Sequence, residues 1–503
     1  MKQEKVVSIS VLKHHTGEIV TLKGWVYNIR TSKKLIFIEV RDGSGICQTI
    51  VSADAVRSEV WETALQQKQE SSIVVSGLVV ADERSAGGVE LHIERLLSVH
   101  IAEDYPITPK EHGVEFLMEN RHLWLRSRRQ WAVMRVRSQI VYTLHRFFQE
   151  REFVQLDAPV FTANAAEGTT TLFETDYFER KAYLTQSGQL YAEAMAMAHG
   201  KVYTFGPTFR AEKSNTRRHL TEFWMVEPEM AFYDLPMNMN LAEELVRYLL
   251  LNILRECEEE LKILERDTAQ LQKAVENPFV RLTYSEAVER LRSSETTSLL
   301  ETMEEERLRE LQELQSEHEN LEEERGEAKK WRKSQIDERI REIHSRKDQI
   351  EEDLRNLPDW AESAATFQWG NDFGGSDETV LTLQFNSPVI VHRYPSAIKA
   401  FYMKRDPDDD SLALAMDILA PEGYGEIIGG SQREDELKIL EQRIAEHHLP
   451  KDAFSWYLDL RRYGSVPHSG FGMGVERTLA WICGLKHVRE TIPFPRMPGR
   501  LTP

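Results

Sequence analysis

Residues 205 to 230, FGPTFRAEKSNTRRHLTEFWMVEPEM, gather within one strand–loop–strand the side chains that a nucleoside triphosphate needs. Arg210 can neutralise a phosphate, and Glu212 can accept from an adenine amino group. His219 can reach the outer phosphates, and Phe223 can offer a ring face to a purine. Side chains of a strand repeat every second residue, so Arg210 and Glu212 are expected on one face. An isolated Arg-x-Glu is an ordinary surface ion pair. The basic loop that follows, with Lys213, Arg217, Arg218 and His219, and the return through Glu222-Phe223-Trp224 make the pattern specific. Far downstream, SGFGMGVER sets Glu476-Arg477 at a helix start behind several glycines. Alone, such glycines mean close backbone packing; with Arg477 they supply a second cation.

Several elements must position these groups. Residues 1–103 carry five β-branched, alternating runs with one helix between them, from about Asp54 to Gln67. That pattern predicts an OB-type barrel. Residues 104–126, with Pro106, Pro109 and Gly113, read as a hinge. A catalytic domain over 127–503 opens on a long amphipathic helix followed by the extended FVQLDAPVF. Within it, 297–357 places Ile336, Ile340, Ile343, Ile350, Leu354 and Leu357 on alternating three- and four-residue steps interrupted at Lys347, with Leu311, Leu314 and Leu321 at a similar spacing upstream. This predicts an inserted coiled-coil-like helical hairpin that breaks at Gly326. The hairpin holds 19 acidic against 12 basic residues and reads as a solvated arm whose removal leaves the chemistry intact.

The chain of 503 residues is too long for a single core, and its formal charge of −19 excludes a uniformly basic nucleic-acid binder. A local patch survives: Val20 to Asp42 holds five basic and two acidic residues. Cys47, Cys257 and Cys483 are isolated, which argues against a disulfide framework or a zinc site. The amino-terminal residues lack an apolar segment, and no run is long enough for a membrane span. A cytoplasmic protein is expected.

The 205–230 segment and the 469–485 helix start resemble motifs 2 and 3 of the class II aminoacyl-tRNA synthetases. FVQLDAPVF, with Pro159, resembles motif 1, and IPFPR, ending in Arg496, resembles the carboxy-terminal signature. The flanking text narrows the resemblance to the asparaginyl-tRNA synthetases, over nearly the whole chain outside the hairpin. It implies an α+β fold: an N-terminal OB-fold barrel and a class II catalytic domain built on an antiparallel sheet. It also implies a ligase that activates L-asparagine with ATP and charges tRNA(Asn), as a homodimer joined through motif 1. By resemblance Arg210 binds the α-phosphate and the amino-acid carboxylate, and Glu212 and Phe223 hold adenine. Arg218 and His219 touch the outer phosphates, and Arg477 answers the γ-phosphate. Asp417 and Glu426 occupy positions similar to the family's Mg2+ ligands; solvated loop acids are the plain alternative.

The amino acid is read from TQSGQLYAEAMAM and GEIIGGSQRE. Asparagine presents an acceptor and a donor, aspartate two acceptors and a charge. Arg433 can donate to the side-chain oxygen of either, whereas Glu193 accepts from an amide and repels a carboxylate. Aspartyl relatives carry a lysine where this chain has Ala192. By resemblance Glu167, Ser187 and Gln189 lie near the α-ammonium or close over the substrate; polar loop residues satisfying backbone groups would look the same. Arg30, Phe37 and Gln48 match positions that read the central anticodon uridine, although Phe37 could equally be barrel core. An aspartate-specific enzyme, a non-catalytic RNA-binding paralogue and a tRNA-independent amide synthetase remain as rival readings.

Overall fold

The computed structural model describes residues 5–108, 110, 112–163, 172–213 and 216–502. Its contacts divide the chain into two units, Met1–Leu117 and Met118–Pro503.

In the first unit, β1 (Ile19–Ser32), β2 (Leu35–Arg41), β3 (Ile46–Ser52), β4 (Ser72–Ala81) and β5 (Val89–His100) close into a barrel in the order β1-β2-β3-β5-β4. Burial alternates strictly along β2 and β3, so Ile36, Ile38, Val40, Cys47 and Val51 fill the interior. Phe37 and Gln48 are therefore on the outer face, which removes the core reading of Phe37. Gly77 is required where β4 and β5 close together, because a Cβ there would lie 2.0 Å from the His92 carbonyl oxygen. The segment expected to be a hinge is partly helical, at Val114–Glu119 and Arg121–Trp124. Arg121, within the second unit, is buried and donates to the Ile492 and Pro493 carbonyls at 2.9 Å each.

The second unit carries short strands β6 (Val154–Gln155), β7 (Phe161–Thr162), β8 (Glu174–Tyr177) and β9 (Arg180–Leu184). Longer ones follow: β10 (Lys201–Phe209), β11 (Glu222–Ala231), β12 (Val280–Thr283), β13 (Val389–Pro395), β14 (Leu412–Ala420), β15 (Gly425–Gln432) and β16 (His468–Gly474). An eight-stranded sheet runs β12-β13-β14-β15-β16-β11-β10-β6, antiparallel except for the β12–β13 and β10–β6 pairs at its edges. Helices cover one face. Arg128–Gln149 is capped by Ser127, whose hydroxyl accepts from the Gln130 amide, and buries Val133, Val136, Ile140, Leu144 and Phe147. Leu235–Glu256 starts on Asp234, which accepts from the Met237 amide at 2.8 Å, and buries Leu241, Leu245, Leu249 and Ile253. Each such side chain contributes roughly 1.5–3 kcal/mol, so these two helices hold the back of the sheet rigid.

The hairpin helices run Ser294–Glu327 and Lys330–Thr366, longer than the sequence pattern suggests. The chain turns at Ala328 and Lys329, both extended, and Gly326 stays helical at a cost of about 1 kcal/mol. Pro358 also lies inside the second helix, where packing of Leu357, Ala364 and Phe367 against a core shared with β13 and β14 carries the helix onward. Glu310–Arg346, Glu317–Arg339 and Glu324–Arg332 form interhelical rungs of 2.6 to 2.7 Å, one heptad apart. They face each other across the seam and hold its register.

Candidate active site

The face of the sheet opposite the helices is kept bare by glycine. Gly470 and Gly472 in β16 point to this face, beside Gly429 and Ser431 of β15 and Glu229 of β11. A Cβ on Gly472 would come within 2.4 Å of Met225, and one on Gly470 within 2.2 Å of the Glu229 carboxylate. These glycines thus form the floor of a groove. The alternation Phe223, Met225, Glu227, Glu229 along β11 lines it from an aromatic end to an acidic end.

At the aromatic end lies a cleft lined by Arg210, Glu212, Arg218, His219, Phe223, Met225, Glu426, Gly472 and Arg477 among others. The sequence placed Arg210 and Glu212 on a strand; β10 in fact ends at Phe209 and both follow it in irregular backbone. They still reach the cleft because the Arg210 amide bonds to the Thr221 carbonyl at 3.0 Å, continuing the β10–β11 ladder by one step. The Arg210 guanidinium lies 5.5 Å from the Phe223 ring centre, so cation and purine-sized aromatic surface are side by side.

Arg477 enters from the helix Val475–Cys483. It donates to the Glu426 carbonyl and carboxylate at 3.1 and 3.3 Å, and to His219 Nε2 at 3.2 Å. Burial and the neighbouring Arg477 charge push the His219 pKa down, so its ring is a neutral acceptor there. The adjacent Glu476 points the other way. It pairs with Arg137 at 2.7 Å and accepts from the Trp224 amide at 2.9 Å, fastening the helix start to β11. Adjacent helical residues diverge by about 100°, which is why one faces the core and the other the cleft. Arg218 is held by Glu378 at 2.9 Å, a carboxylate that the sequence reading missed. Its only local signal was acidity in the first turn of a helix, a common stabilising placement.

Asp417 and Glu426 converge above Gly429, their nearest oxygens 3.3 and 2.7 Å from where its Cβ would stand. Burial and repulsion from Glu426 raise the Asp417 carboxyl to about 6, opposed by Lys399 at 3.2 Å. Two close, mutually repelling carboxylates, of which Glu426 lines the nucleotide cleft, suit a divalent ion that takes one or two carboxylates plus phosphate oxygens. Among the described residues, no group of three or more His, Cys, Asp or Glu is arranged to hold a metal by itself.

The acidic end is closed rather than open. Glu193 is fully buried; it accepts from Arg461 at 2.8 Å, Tyr457 at 2.7 Å, His468 at 3.1 Å and Gln189 at 3.1 Å. Burial alone would raise its pKa, but the charges of Arg461 and His468 outweigh that and hold it well below the usual range. Expected to touch substrate directly, Glu193 is sealed into the wall at this end of the groove, with both oxygens engaged by protein groups. Arg461, Tyr457 and His468 lie more than 260 residues away, so nothing local announced them. Arg433 donates to both oxygens of Glu229 and to Ser431 at 2.7 Å, which uses three of its five donors. Ser187 bonds to Glu227, whose other oxygen accepts from the Gly188 amide at 2.8 Å. Glu167 lies outside the described residues.

On the barrel, Arg30 donates to Gln48 at 3.2 Å and covers the Phe37 ring at 4.8 Å, so the three residues form one outer-face cluster. Pro159 is exposed, after β6 has paired with β10.

An antiparallel sheet with a bare glycine floor, two cleft arginines from distant segments and a separate OB barrel is the construction of a class II tRNA synthetase. The family described as tRNA synthetases class II (D, K and N) matches residues 113–498, and the OB-fold nucleic acid binding domain matches residues 20–99. The asparagine–tRNA ligase of Sorangium cellulosum is 50% identical over 100% of both chains, and that of Symbiobacterium thermophilum 47% identical over 99% of this chain and 100% of its own. The crystal structure of asparaginyl-tRNA synthetase from Pyrococcus horikoshii complexed with asparaginyl-adenylate aligns with a TM-score of 0.83 and 38% identity, over 100% of both chains. The chain belongs to the class II tRNA synthetases and, within them, to the asparagine–tRNA ligases.

Proposed function

We propose that this chain joins L-asparagine to ATP as asparaginyl-adenylate and then passes the asparaginyl group to the 3′ end of tRNA(Asn). The observation that carries this reading is the convergence of Arg210, Glu426 and Arg477 on one cleft, at the head of a groove that ends at Glu229 and Arg433. A carboxylate oxygen of asparagine attacks the α-phosphorus, the bond to the β-phosphate oxygen breaks, and pyrophosphate leaves. Arg210 neutralises the α-phosphate while Phe223 and Glu212 hold the adenine beside it. Arg477, with His219 and Arg218, takes the outer phosphates. Mg2+ held by Asp417 and Glu426 would offset phosphate charge when bound. The protein supplies position and charge neutralisation rather than a covalent intermediate. The terminal 3′-hydroxyl then attacks the acyl carbon and AMP departs.

Selection of asparagine follows from the acidic end. Arg433 keeps two donors beyond its three internal bonds for a side-chain oxygen, and Ser187 and Gln189 are read as the groups that close over the substrate. With Glu193 already paired with Arg461 and His468, and Ala192 in place of a lysine, the pocket has no second cation to spare for a carboxylate side chain. Hydrogen-bonding pockets of this kind discriminate by about 10⁴-fold or more. Arg30, Phe37 and Gln48 form the stacking and base-edge platform for the anticodon. Exposed Tyr142, Val154, Val160 and Phe161 along motif 1 support a homodimer through that strip, around Pro159. The three buried cysteine thiols are consistent with a cytoplasmic setting; no helix among the described residues is long and apolar enough to cross a membrane.

The deciding experiment is ATP–pyrophosphate exchange driven by asparagine and, separately, by aspartate. Exchange with asparagine is expected; a clear preference for aspartate ends the asparagine assignment.

A further inference from the structure

The rungs of the hairpin join its own two helices, but Glu352 reaches outside it. Its Oε1 pairs with Arg217 of the motif 2 loop, and its Oε2 accepts from Lys486 at 3.3 Å. The next residue, Asp353, stays within the hairpin, bonded to Arg307 at 2.8 Å. Arg217 is locked on its other side as well: its carbonyl accepts from the Val488 amide at 3.0 Å, and Val488 lines the nucleotide cleft. Directly after it come Arg218 and His219, the cleft's own cationic and imidazole groups. Arg477 also donates to the Arg218 carbonyl, at 3.4 Å. The loop is therefore clamped between the hairpin on the outside and the motif 3 helix on the inside.

We propose that Glu352 is a positioning residue for the motif 2 loop, through which the inserted hairpin sets the affinity of the cleft for ATP. Glu352 touches no substrate; it fixes Arg217, and so the stretch of backbone from which Arg218 and His219 project, while Glu378, Thr379 and the Gly423 carbonyl hold the Arg218 tip. The hairpin expected from sequence to be a solvated arm thus has one functional contact at its base. Arg217 is well exposed and Glu352 partly so, which limits the size of the effect and makes it sensitive to salt.

The inference rests on the proposed activity, and two readouts on the full chain keep the two apart: the ATP Kd by titration calorimetry and KM for ATP in asparagine-driven exchange. Glu352→Gln is expected to raise both by about two- to five-fold, with kcat changing less. Glu352→Asp, which keeps the charge, stays nearer the parent. Arg217→Glu weakens ATP binding in the same range, and adding Glu352→Arg to it restores part of the loss. Raising the salt narrows the gap between parent and Glu352→Gln. An unchanged ATP Kd in a Glu352→Gln protein with parental melting behaviour overturns the inference, as does a paired substitution no better than Arg217→Glu alone. A parent protein that binds ATP but exchanges nothing with asparagine refutes the assigned activity, while the Kd arms still decide the role of Glu352.

Discussion

The two ends of the groove solve the problem of charge in different ways. At the nucleotide end, Arg210, Arg218 and Arg477 line an open cleft; Arg218 is held by Glu378, Thr379 and the Gly423 carbonyl, and Arg477 by Glu426, His219 and the Arg218 carbonyl. At the amino-acid end, Glu193, Glu229, Arg433, Arg461 and His468 are buried and bonded to one another. A mobile polyanion needs cations that can exchange partners. A small neutral side chain needs a pocket whose own charges are already balanced, because an unbalanced buried charge is too costly to keep.

The contrast predicts that damage at the closed end costs stability and damage at the open end costs rate. The largest effect belongs to Arg461→Leu, which strands the Glu193 carboxylate and should lower unfolding stability by about 3–5 kcal/mol in chemical denaturation. In the parent, the depressed Glu193 pKa contributes stability that is present above the unfolded value and lost as pH falls through the folded one. In Arg461→Leu burial dominates, so the deficit should shrink as pH falls and the stranded group takes a proton. A deficit that grows on acidification would mean Glu193 is not the group left unpaired.

Arg210→Ala should behave in the opposite way, with near-parental denaturation and exchange reduced by about 10²–10³-fold. Exchange that survives the substitution removes Arg210 from the reaction. Phe37→Ala is expected to leave exchange untouched and weaken tRNA binding by about 1–3 kcal/mol, read as a raised KM for tRNA in aminoacylation. The smallest change is Glu378→Gln, which removes the charge from one of the three groups that hold Arg218 and leaves Thr379 and the Gly423 carbonyl in place. It should shift KM for ATP by a few fold with stability little changed, since the amide keeps the shape of a carboxyl that burial and the neighbouring Glu426 already push up to about 7.

Legibility from sequence follows the same divide. The barrel strands were visible because one buried face imposes period-two alternation, and that same alternation put Phe37 outside once the register was known. The cleft residues were visible because phosphate and purine chemistry compresses Arg210, Glu212, His219 and Phe223 into one short segment. The turn of the hairpin was misplaced at Gly326 because a helix with enough packing absorbs one glycine. Its outward contact at Glu352 could not be seen at all, since that acid looks like its many neighbours.

By itself, then, the order of residues determined the secondary elements, the bare glycine strand and the cations of the nucleotide cleft. Periodicity and short-range spacing are properties of the chain alone. Only the tertiary structure decided that Glu193 lies sealed under Arg461 and His468, that Asp417 and Glu426 meet above Gly429, and that Glu352 braces Arg217. Each of those depends on which distant strands and helices lie side by side, and electrostatic energy depends on distance and burial rather than on position along the chain.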